Sequence, residues 1–217
     1  MNPLLNLKEI EKRAIQSTYQ DGLLDIQYGL IVACMAIFIY RPESGYSPLN
    51  IILAIVGIGL TNLLFMVGKR MITLPRMGMV KFGEIRHKKN RRMAIVLGVF
   101  ILAQVVLVIF TSLGLFNSQI GSWIDKVLGN HSGSLLVVSA IGSLMVGVSI
   151  IVMSYFTDFD RGFYISILMA LAVFLMIFLN RPLWPILIGL VIIIPGVVLL
   201  VRFLKRYPII KEGVEHD

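Results

Sequence analysis

The sequence predicts an all-α, polytopic integral membrane protein: a single membrane domain over residues 1–217, built as a six-transmembrane-helix bundle with an N-terminal interfacial amphipathic helix. Three observations predict it. Apolar residues make up 57% of the chain and charged residues only 15%, with a mean hydropathy of +0.86, whereas soluble domains carry about 45–50% and about 25%. Six apolar stretches each approach the roughly 20 residues that cross about 30 Å of hydrocarbon. The basic residues fall on alternate connections between those stretches.

Residues 4–18 come first. Leu4, Leu7, Ile10 and Ala14 recur at spacings of three and four, Glu9 and Arg13 form an i,i+4 pair, and Lys8 and Lys12 flank the apolar stripe. That pattern suits a helix lying on the cytoplasmic leaflet, and a solvated tail is the alternative. Residues 1–20 contain no apolar run of the kind a signal peptide needs.

The spans are expected at 22–40, 49–68, 93–116, 134–156, 162–179 and 185–204. Their Ile and Val content would favour strands in water, but in lipid an unpaired strand edge costs more than any side-chain preference returns. Seventeen of the 20 Lys and Arg residues lie on the N-terminal segment, on the connections after spans two and four, and after span six. Only Arg41, Lys126 and Arg181 lie on the other side. The positive-inside rule then puts both termini in the cytoplasm of a multi-pass plasma (cytoplasmic) membrane protein. Trp123 lies in an outer connection, Tyr40 and Tyr46 flank the first one, and Trp184, Tyr155 and Tyr207 fall at span ends; such aromatic rings anchor helices at headgroup level.

The connection 69–92 is the one sizeable polar segment. Its first half carries Pro75, Gly78 and Gly83 and predicts extended or turn structure, with a short hairpin as one form. Its second half is a basic block that starts the third helix. Arg76, Lys81, Arg86, Lys88, Lys89, Arg91 and Arg92 are the candidate contacts to anionic lipid headgroups or to a protein partner. Each basic residue at a charged leaflet is worth about 1 kcal/mol. The net charge of +8 has this cause in a membrane protein, so no nucleic-acid partner is expected.

An ionisable group inside a span is a functional candidate by default. Asp21 and Asp25, with Tyr28, share one helix face at the start of the first span. Capping explains Asp21. Asp25 lies one turn deeper, facing a polar groove or a base from 69–92, and the turn Pro75–Gly83 is the expected other half of its site. Gln27, Asn62 and Gln104 are neutral polar groups at membrane depth, which bridge helices more often than they bind substrate. Ser139, Ser143 and Gly147 form a small-residue stripe for close helix packing. Pro195, followed by Gly196, is expected to kink the sixth span. Asp158 and Asp160 read as salt-bridged turn residues.

Spans one and five also align: Gly22 to Arg41–Pro42 and Gly162 to Arg181–Pro182 have the same length, and Lys-Arg closes both following spans. Parallel repeats about an axis normal to the membrane would give this pattern, and so would the fixed length of a span.

No catalytic motif, metal site or cofactor is expected. Cys34 is alone, and His87, His131 and His216 sit on separate segments. Three classes of function fit: a small transporter or channel-like bundle, a membrane subunit, or a non-transporting scaffold that binds anionic lipid or a partner through its basic surface.

Overall fold

The computed structural model describes residues 16–17, 19–39, 48–77, 84–112 and 133–208. Those residues are 91% helical, with no strand among them. The elements are α1 (Leu23–Ile39), α2 (Pro48–Gly68), a π-helical turn (Lys69–Thr73), α3 (Leu74–Met77), α4 (Glu84–Ser112), α5 (Gly133–Thr157), α6 (Gly162–Leu179) and α7 (Leu183–Arg206). Four helical runs are long and apolar enough to cross a membrane: α2 extended through α3, α5, α6 and α7; α1 is a shorter apolar helix. The architecture is compatible with a helical membrane bundle. Residues 4–15 of the expected interfacial helix and the connections holding Arg41, Lys81 and Lys126 lie outside the described residues, as do residues 113–116 of the third expected span; Gln16 and Ser17 are helical.

The centre is built from α1, α5, α6 and α7. Val32, Ile165 and Ile192 are fully buried there, with Tyr28, Met169, Ala172 and Ile188 around them. α1 packs most extensively on α7, and α5 on α6; α2 leans on α1 and α4 on α5. The two hairpins read as a repeat are therefore packed differently, α1 between α2 and α7 but α6 chiefly on α5. α2 turns Leu49, Ile52, Ile55, Leu63 and Leu64 outward, and α4 exposes Val99, Ile101 and Leu102. Soluble proteins rarely expose contiguous apolar patches beyond a few hundred Å², whereas lipid covers such a face at no cost.

Glycines set the closest approach. α1 and α7 run antiparallel with Gly22 opposite Gly196 and Gly29 opposite Gly189. A Cβ on Gly29 would lie 2.7 Å from the Gly189 carbonyl oxygen, and one on Gly189 would lie 2.7 Å from that of Gly29. Side chains at either place would push the backbones apart. Gly22 also has φ +71°, a conformation that only a residue without Cβ adopts freely. Pro195 lies inside a continuous α7. Its missing N–H leaves one carbonyl of the preceding turn without its usual partner, next to the point where Gly196 receives Asp25 and Ile26 of α1.

One local expectation needs correction. Met71–Met77 is not extended; it continues α2 through the π-helical turn and α3. Pro75 is the second residue of α3, directly after the π-helical turn, so its missing N–H falls where the backbone hydrogen-bond register changes. The remainder, 78–83, lies outside the described residues. α4 begins at Glu84, so the basic block starts this helix, as its sequence predicts.

Candidate functional site

Most of the charged residues described converge on one end of the bundle, where α1 and α6 begin and α2, α5 and α7 end. Asp21 and Asp25 have no exposed surface. Each is held by a different part of the chain, Asp25 from the first turn of α1 and Asp21 from just before it.

Asp21 precedes the first turn of α1. Its Oδ1 accepts a hydrogen bond from the Leu23 N–H at 3.2 Å. Its Oδ2 accepts from Lys69 Nζ at 2.6 Å and from the Thr73 hydroxyl at 2.6 Å. Lys69 and Thr73 open and close the π-helical turn, and such turns recur at functional sites. Lys69 Nζ also lies 5.6 Å from the centre of the Tyr19 ring and 5.7 Å from that of Phe65, within cation–π range. Asp21 thus does more than satisfy a helix end: it ties α1 to the end of α2.

Asp25 pairs with Arg161, not with a base of 69–92. One nitrogen of the Arg161 guanidinium donates to Asp25 Oδ2 and another to the Tyr19 carbonyl oxygen. Asp25 Oδ1 is buried without a partner. Arg161 stacks over Phe159 at 5.4 Å, and the Tyr19 and Phe159 rings lie 5.4 Å apart. The tight α5–α6 connection makes this possible. Asp158 adopts φ 56°, Phe159 is 3% exposed, and the Phe159 carbonyl accepts from the Gly162 N–H at 2.9 Å. Asp158 Oδ2 accepts from Lys89 Nζ of α4 at 2.6 Å, and Asp160 Oδ2 accepts from Gln16 Nε2 at 3.1 Å.

Of the other polar candidates, Gln27 and Asn62 meet: Gln27 Nε2 donates to Asn62 Oδ1 at 2.7 Å, and Asn62 Nδ2 donates to the Ile58 carbonyl at 2.9 Å. Gln104 reaches Ser149 Oγ at 3.0 Å, joining α4 to α5. Ser139 and Ser143 donate to carbonyls three residues back on α5, and a Cβ on Gly147 would lie 3.0 Å from that of Ala170 on α6. Arg76 Nη1 turns back onto the Ile72 carbonyl at 2.9 Å. Arg91 and Arg92 are exposed on α4; Lys81 and the side chains of Arg86 and Lys88 lie outside the described residues.

The same end holds a cavity of about 460 Å³, walled by residues before α1, the α5–α6 connection and the last turns of α7. Arg161, Arg202 and Arg206 line it with Asp158 and Asp160. Sequence reasoning counted Lys69, Arg161, Arg202 and Arg206 only as topogenic charge and missed Tyr19 and Thr73. One signal was present: a carboxylate one turn inside a span demands a cation, and Arg161 is the one base in the short connection 157–161.

Compared with protein-family models, with curated proteins and with solved structures, the chain matches none.

Proposed function

We propose that this chain is a six-span protein of the cytoplasmic membrane, with both termini in the cytoplasm, that serves as a non-catalytic membrane subunit or scaffold. One observation carries the choice over a conduit: Val32, Ile165 and Ile192, from three helices, meet at the bundle centre with no exposed surface. A pathway for solute needs a polar or water-filled line through that position. The polar groups that would line one close on each other instead, Gln27 on Asn62 and Gln104 on Ser149.

Orientation is supported by the convergence of basic residues from α2, α4, the α5–α6 connection and α7 on one end. Headgroups of the anionic leaflet attract such a surface. The third span is α4, whose apolar part follows a basic helical start. The ion pairs of Asp21 and Asp25 fix the geometry of that end, so its outer surface is a preorganised platform.

Reconstitution in liposomes tests the subunit reading. Protein-loaded vesicles are expected to leak potassium, sodium and glycerol no faster than empty ones. A flux that rises with protein content and falls on a Val32→Trp substitution would replace it with the conduit reading. Cysteine labelling of single-Cys variants at both termini, with Cys34 changed to Ala, checks orientation separately.

A further inference from the structure

We propose that the cavity at the basic end is a site for a phosphodiester whose headgroup carries hydroxyl donors, of the phosphatidylglycerol type. The inference rests on the membrane orientation above and adds the ligand.

Most charges near the cavity are already spent. Arg161 is held by Asp25 and the Tyr19 carbonyl, Lys89 by Asp158, and Lys69 by Asp21. Arg202 and Arg206 differ. Among the described residues neither guanidinium has a carboxylate or hydrogen-bond partner; Arg206 lies only over the Tyr207 ring, at 5.8 Å. They are four apart on α7, so they project from one face toward the same space. Like charges at that spacing repel, and an anion between them removes the repulsion. Guanidinium forks match phosphate oxygens in pairs.

The remaining charged group decides the class of anion. Asp160 lines the same cavity, and one of its oxygens takes a hydrogen bond from Gln16. Two free guanidiniums and one carboxylate leave a single positive charge. A phosphodiester monoanion cancels it. A phosphomonoester, carrying close to two charges at neutral pH, would be repelled by Asp160. The carboxylate is an acceptor, so it favours a headgroup with hydroxyl donors. Leu199, one turn deeper on α7, and Phe203, between the two arginines, add apolar wall, against which the glycerol backbone of a lipid would lie. The volume of about 460 Å³ falls within the range of small-ligand pockets.

The test uses the full chain in detergent, titrated with dihexanoyl phosphatidylglycerol, dihexanoyl phosphatidic acid, dihexanoyl phosphatidylethanolamine and water-soluble glycerophosphoglycerol. Binding is read by native mass spectrometry. Phosphatidylglycerol is expected to bind at least about tenfold more tightly than phosphatidic acid, and the double variant R202Q/R206Q to weaken it by about tenfold or more. D160N is expected to bring the two lipids within about threefold of each other. Both arginines are exposed, so the double variant should melt as the parent does without lipid, and that melting curve is the fold control. Weaker binding of glycerophosphoglycerol than of the lipid assigns the site to the membrane; equal binding assigns it to a soluble phosphodiester. Affinity of R202Q/R206Q within twofold of the parent, or equal binding of phosphatidic acid or phosphatidylethanolamine, would overturn the proposal. Neither result bears on vesicle leak, so the site and the subunit reading fail separately.

Discussion

Arg161 reaches across 136 positions of sequence to hold Asp25, a carboxylate with no exposed surface, while its second nitrogen holds the Tyr19 carbonyl. One guanidinium therefore fastens the start of α1 to the α5–α6 connection. Removing it strands a buried charge, which costs about 3–5 kcal/mol. R161Q should lower the melting temperature in detergent steeply, and the double variant D25N/R161Q should recover part of the loss. A double variant no better than R161Q alone would mean that the contacts to Tyr19 and Phe159, rather than charge pairing, dominate.

The second clamp is testable through its neutral member. Thr73→Val keeps the shape and removes one of the three hydrogen bonds into Asp21. Bonds to charged groups contribute about 1.5–3 kcal/mol, so a loss of that size is expected on thermal unfolding. Thr61→Val is the control, because that hydroxyl bonds only its own helix, at Ile58; it should cost much less.

The glycine register between α1 and α7 gives a paired prediction. Gly29→Val places side-chain atoms against the Gly189 carbonyl and Ile193, where even a Cβ comes within 2.5 Å. It should destabilise the bundle, by about 1–3 kcal/mol or more for overpacking. Gly59→Ala meets nothing within 4 Å and should leave the melting temperature unchanged or raise it, since alanine favours helix by up to about 1 kcal/mol.

Gln27 and Asn62 should behave as a coupled pair. Interhelical polar contacts in membranes average about 0.6 kcal/mol. A double-mutant cycle of Gln27→Leu and Asn62→Leu should give a coupling near that value. If Gln27→Leu instead abolishes a reconstituted solute flux, the pair lines a pathway and the subunit reading falls.

Helical class and the segregation of charge were legible in the residues, because both follow from one-dimensional quantities: run length, hydropathy and the placement of Lys and Arg. Asp25 stood out for the same reason, as a charge one turn into an apolar run. Its partner did not, because the choice between Arg161 and the bases of 69–92 depends on which connection the bundle brings over α1. The continuation of α2 through Met71–Met77 was hidden by Pro75 and the glycines after it, which read locally as turn.

The amino-acid order alone thus determined where apolar runs lie and which connections carry positive charge, since hydropathy and charge belong to each residue wherever it goes. Only the tertiary structure decided that α1 packs on α7 through facing glycines, that Asp21 and Asp25 answer to separate cations, and that Arg202 and Arg206 line a cavity with their charges unmatched. Those are relations between distant residues, set by which helices can approach closely, and no local property of the chain encodes them.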